Sequence, residues 1–147
     1  GLNDIASTHN LEIITDKNRA EEADVVLLAV GEVPYAEFEG DTDNPSIIGD
    51  KALTGNSDAI SYAQSLNKPV IAVIVAGRNV LINDYINDWD GVVMSYLPGT
   101  EGGGIASVLT GETKFTGKLS MPWYKSTDDI KSQNPDYQFE LGYGIMT

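Results

Sequence analysis

Between Gly31 and Asp43 the chain reads Gly-Glu-Val-Pro-Tyr-Ala-Glu-Phe-Glu-Gly-Asp-Thr-Asp, with carboxylates at 32, 37, 39, 41 and 43 interleaved with Tyr35 and Phe38. Carboxyl groups set among aromatic rings suit general acid catalysis on a sugar-like ring, one group donating a proton while the rings form a wall. A carboxyl donates near neutral pH only when neighbouring negative charge or apolar burial raises its pKa, and this loop offers both kinds of neighbour. The same residues also describe a solvated acidic loop, the ordinary meaning of a charge run. A divalent cation site is a third reading. The order Asp41-Thr42-Asp43-Asn44-Pro45 breaks the calcium-loop pattern at its fifth position, so no metal is expected.

Other motifs carry less. Leu97-Pro98-Gly99-Thr100-Glu101-Gly102-Gly103-Gly104 leads into a helix and could expose backbone N–H groups to a phosphate. Neither the Lys-Ser/Thr of a P-loop nor the dinucleotide-binding glycine spacing follows, and Glu101 would repel an anion. A tight packing turn is the reading preferred, and no cofactor is expected. His9, the sole histidine, lies in a polar stretch, which argues against a Ser/His/Asp apparatus. Arg78 follows Gly77 at the end of an apolar run and reads as an ion-pair anchor for the acidic loop or, alternatively, as a ligand group. Trp123 and Tyr124 fit core or rim equally.

The elements that position these groups follow from the apolar pattern. Val25 to Val30, Val70 to Ala76 and Gly91 to Tyr96 are continuous apolar runs of strand length, each closed by Gly or Pro-Gly, and read as strands covered on both faces. Helix signals lie between them, starting at Ser57-Asp58, spanning Val80 to Trp89, and running from Gly104 to Leu109. Gly1 to His9 reads as a short amphipathic helix and Leu11 to Ile14 as a short strand. Parallel neighbours need crossovers, so strands alternating with helices predict a three-layer α/β/α sandwich with a mostly parallel sheet, flavodoxin-like or Rossmann-like. Lys118 to Trp123 is expected as an antiparallel edge strand, because Pro122 cannot occupy a central position. The acidic loop then leaves the carboxyl end of the first parallel strand, where open α/β sheets bind ligands.

The 147 residues hold 22 Asp and Glu against 9 Lys and Arg, one His and no Cys. A chain this long supports one core, so a single domain spanning 1–147 is expected. A net charge of −13 without a basic cluster makes nucleic acid and anionic lipid surfaces poor partners. The absence of Cys excludes disulfides, thiolate metal sites and a cysteine nucleophile. No apolar run approaches the roughly 20 residues that span a bilayer, so no membrane is expected. The chain reads as a soluble piece of something longer.

The ordered set Ala23-Asp24-Val25-Val26, Gly31-Glu32-x-Pro34-Tyr35-x-Glu37-x-x-Gly40-Asp41, Lys68-Pro69-Val70, Gly77-Arg78, Leu97-Pro98-Gly99-x-Glu101-Gly102, Phe115-x-Gly117-Lys118-Leu119-x-Met121-Pro122-Trp123 and Leu141-Gly142-Tyr143-Gly144 resembles the C-terminal α/β domain of glycoside hydrolase family 3. The resemblance implies a β-glucosidase or exo-glucanase type of enzyme that cleaves with retention, using an Asp nucleophile on an N-terminal TIM-like barrel. It implies that the acid/base carboxylate is Glu37, with Glu32 and Glu39 as alternatives. The expected partners are a β-linked glucoside or oligosaccharide, the barrel domain and a second copy of the chain. By itself the chain is expected to be inactive. A stand-alone flavodoxin-like binding or regulatory module, without catalysis, is the competing reading.

Overall fold

The computed structural model describes residues 1–145. Three strands, β1 (Val26–Gly31), β2 (Val70–Val75) and β3 (Gly91–Met94), form a parallel sheet in the order β1-β2-β3. Helix α2 (Asn56–Ser65) crosses between β1 and β2, α3 (Gly102–Leu109) follows β3, and α1 (Leu2–Ile5) opens the chain and contacts α3. The mostly parallel α/β class expected from the alternation is what forms. The antiparallel pairing expected near the C terminus is also present, as a separate sheet of β4 (Trp123–Tyr124) and β5 (Tyr137–Phe139), with the short α4 (Thr127–Lys131) between them.

One sheet face carries the core. Leu28 and Val30 of β1, Val70, Ala72 and Ile74 of β2, and Ile60 and Ala63 of α2 form a single buried cluster with Ile47, Val80, Ile82, Trp89 and Trp123. Trp123 is locked there by a 2.7 Å hydrogen bond from Nε1 to the Val80 carbonyl oxygen and an edge contact with Phe139. The choice between core and rim is thereby decided in favour of core for Trp123. Each fully buried side chain of this size contributes about 1.5–3 kcal/mol.

Four local expectations fail, each for a physical reason. β1 is an edge strand that buries its even-numbered side chains in this core, so Leu28 and Val30 are buried while Leu27 and Ala29 are exposed. Leu11 to Ile14 is not a strand; it enters no ladder among the described residues, Leu11 N–H bonds back to the Ala6 carbonyl instead, and Leu11 and Ile13 are exposed. Val80 to Trp89 is not one helix. Leu81 instead exchanges backbone hydrogen bonds with Pro45 and Ile47, which sends Val80 and Ile82 into the core and leaves a single 3-10 turn at Ile86–Asp88. Of Lys118 to Trp123 only Trp123 enters a ladder, while Leu119 pairs with Gly142 and Tyr143. No helix among the described residues is long and apolar enough to cross a membrane.

Candidate active site

The acidic loop leaves the carboxyl end of β1. Its first carboxylate, Glu32, still belongs to the sheet edge: its N–H bonds the Val75 carbonyl at 3.1 Å, and it bridges antiparallel to Ala52. The strand end is gripped from the helix side by Asn56, whose Nδ2 donates to the carbonyls of Gly31 (2.7 Å) and Ile47 (2.6 Å) while its Oδ1 accepts from Gly31 N–H at 3.3 Å. Gly31 admits no substitute, because a Cβ there would lie 2.0 Å from the Val75 carbonyl oxygen.

Glu32 turns inward. Its side chain is 2% exposed, and a buried carboxylate is tolerated only when paired and hydrogen-bonded. Arg78, at the carboxyl end of β2, supplies the pairing: Nη2 donates to Oε1 at 2.8 Å and Nε to Oε1 at 3.0 Å. Tyr35 completes the shell, its hydroxyl donating to Oε2 at 2.8 Å. Burial, and then the hydrogen bond to Glu32, push the Tyr35 phenol above its ordinary value of 10. The Arg78 guanidinium also lies 4.9 Å from the centre of the Tyr35 ring. Of the two roles open to Arg78, loop anchor or ligand group, the geometry shows the anchor.

Arg78 reaches the far end of the loop as well, with Nη1 donating to the Gly40 carbonyl oxygen at 2.8 Å. Residues 37–40 form a 3-10 turn closed by Glu39 N–H to Ala36 and Asp41 N–H to Phe38. At its head Glu37 has φ +48°, a left-handed conformation that costs a side-chain-bearing residue roughly 1–2 kcal/mol. Glu37 and Glu39 are exposed, and neither carboxylate makes a hydrogen bond or ion pair among the described residues. Phe38 between them is 76% exposed. Sequence reasoning therefore found a loop in which one of the three candidate carboxylates is consumed by structure and two are free.

The neighbouring strand ends join this arrangement. Tyr96, just past β3 and also left-handed at φ +52°, donates to Asn79 Oδ1 at 3.0 Å, and Asn79 Nδ2 bonds the Met121 and Pro122 carbonyls. Leu97 follows and is 70% exposed. Asn56 and Asn79 escaped the sequence reading. The only signals were a polar residue just ahead of Ser57-Asp58 and one just after Arg78. Elsewhere, the glycine-rich turn closes on itself, Gly104 N–H bonding the Glu101 carbonyl, and His9 Nδ1 lies 3.1 Å from the Ile5 carbonyl oxygen. Among the described residues no three His, Asp or Glu side chains stand close enough to hold a metal ion.

A parallel sheet flanked by helices, with an acidic loop at its carboxyl edge, defines the class as an α/β domain. Residues 3–147 match the glycosyl hydrolase family 3 C-terminal domain, and the chain belongs to that family. It is 34% identical over 113 residues to the lysosomal beta glucosidase of Dictyostelium discoideum, covering 76% of this chain and 13% of that protein. It is 29% identical over 126 residues to the periplasmic beta-glucosidase of Salmonella typhimurium, covering 85% of this chain and 15% of that one. Among solved structures, the exo-1,3/1,4-beta-glucanase of a Pseudoalteromonas species superposes with a TM-score of 0.78 at 28% identity, over 98% of this chain and 19% of that chain. The chain thus spans well under a quarter of the length of these relatives.

Proposed function

We propose that this domain supplies Glu37 as the general acid/base of a retaining β-glucosidase-type enzyme, in a site completed by an N-terminal TIM-like barrel that carries the nucleophilic Asp. The observation that carries the reading is the division of labour in the loop. Glu32 is buried and taken up by Arg78 and Tyr35, whereas Glu37 is unpaired, exposed and held in a strained conformation at the head of a turn whose far end is anchored. Backbone strain retained by its surroundings is a known mark of functional positions. The exposed Phe38 and Leu97 at the same end of the sheet supply apolar surface suited to a covering domain.

Retaining glycosidases hold their two carboxyls about 5–5.5 Å apart, one attacking the anomeric carbon and one protonating the leaving oxygen. In the proposed arrangement Glu37 protonates the departing glucoside oxygen. It then takes a proton from the water that releases the glycosyl–enzyme ester. A β-linked glucoside or oligosaccharide is the substrate class, in line with the names of the relatives. The test is Glu37→Gln in the barrel-bearing enzyme. Removing the acid should lower kcat/KM for an alkyl glucoside by about 10²–10⁴-fold and spare kcat/KM for an aryl glucoside whose leaving group departs unprotonated, while kcat on the aryl substrate falls because water still needs Glu37 as its base. Equal losses on the two substrates would overturn the assignment.

A further inference from the structure

Resting on that reading, we infer that Arg78 is a positioning residue for the acid/base, setting where the Glu37 carboxylate stands by holding both ends of its loop at once. One guanidinium joins three points of the chain: the Glu32 carboxylate before the loop tip, the Gly40 carbonyl after it, and the Tyr35 ring between them. The span closed in this way runs from 32 to 40 and contains Glu37. Gly40 belongs to the device, because a Cβ at that position would lie 2.5 Å from the Tyr35 ring, so the Gly40 carbonyl meets the guanidinium only when residue 40 has no side chain. The side chains at the loop tip, Glu37, Phe38 and Glu39, are all exposed, so the tip is placed by its own 3-10 turn and by the anchors at its two ends.

The fork geometry matters as much as the charge. Nε and Nη2 face Glu32 while Nη1 faces Gly40, an arrangement that the planar guanidinium provides and a lysine ammonium does not. Arg78→Lys leaves a cation beside the buried carboxylate, so the fold is kept, and releases Gly40. Displacement of a catalytic group by about 1 Å can cost on the order of 10²-fold. The effect of Arg78 should therefore appear only where Glu37 acts.

The experiment is a double-mutant cycle in the barrel-bearing enzyme with Arg78→Lys, Glu37→Gln and the pair, assayed on an alkyl glucoside and on an aryl glucoside with a good leaving group. Arg78→Lys should lower kcat/KM on the alkyl glucoside by roughly 10–100-fold and barely affect kcat/KM on the aryl glucoside, whose first step needs no proton from Glu37. In the Glu37→Gln background the same substitution should have no further effect on the alkyl substrate. The melting temperature of Arg78→Lys should match that of the parent, a readout independent of turnover that separates a displaced loop from a destabilised domain. If Glu37→Gln shows leaving-group selectivity but Arg78→Lys slows both substrates alike, or retains its full effect without Glu37, the positioning role fails and the acid assignment stands. If Glu37→Gln itself is unselective, both fail.

Discussion

Arg78 Nη1 donates a 2.8 Å hydrogen bond to the carbonyl oxygen of Gly40, a residue 38 positions earlier in the chain. The same guanidinium neutralises Glu32, so one side chain ties the second strand of the sheet to the beginning and the end of the acidic loop. Loop placement and domain stability are coupled through that group.

Removing the cation outright should therefore be costly. Arg78→Met leaves the Glu32 carboxylate, 2% exposed, without its counter-ion, and breaking a buried pair from one side costs about 3–5 kcal/mol. Urea denaturation should show a loss of this size for the single variant and a much smaller loss for Arg78→Met combined with Glu32→Met. Equal losses would mean that the buried charge is not the source of the effect.

Gly40 and Gly117 make a matched pair of glycines. An added methyl at Gly40 meets the Tyr35 ring at 2.5 Å, whereas at Gly117 it meets nothing within 4 Å. Gly40→Ala should destabilise by about 1–3 kcal/mol as an overpacked site. Gly117→Ala should stay within about 0.5 kcal/mol of the parent. Thermal melts of the two variants check both values.

The Tyr35 phenol titrates above its ordinary value of 10 because burial, and then the hydrogen bond to Glu32, favour the protonated form. A value raised on folding means that the folded state holds its proton longer than the unfolded chain. This contribution to stability is complete below about pH 10 and is lost as pH rises through the folded value. Phenolate absorbance compared between parent and Tyr35→Phe should place this titration above the ordinary range, and the variant should lose stability less steeply above pH 10. A Tyr35 that ionises at or below 10 would contradict the hydrogen-bonded, buried phenol.

Much of this arrangement was legible in the sequence, because strands covered by a core are written as apolar runs. Val70 to Val75 and Gly91 to Met94 were readable for that reason, as was the loop leaving β1. What escaped depended on partners distant in sequence. Val80 to Trp89 has helical spacing, yet pairing of Leu81 with Pro45 and Ile47 overrides it. Leu27 looks buried by type, but the β1 edge leaves it exposed. Within the loop, residue types offered five carboxylates, and the family resemblance pointed to Glu37 with Glu32 and Glu39 as alternatives. Only Arg78 and Tyr35, placed by the fold, separate Glu32 from the other two.

The 147-residue chain alone should not hydrolyse aryl β-glucosides, since the proposed nucleophile lies on another domain. Preparations freed of host glucosidases should give no turnover above background. Measurable turnover that follows the purified chain would defeat the shared-site reading.

The most direct test compares Glu37→Gln with Glu39→Gln in the barrel-bearing enzyme across glucosides of graded leaving-group acidity. The plot of log kcat/KM against leaving-group pKa should steepen for Glu37→Gln alone, because only the true acid relieves a poor leaving group. A slope unchanged in Glu37→Gln, or steepened in Glu39→Gln instead, would contradict the assignment of Glu37.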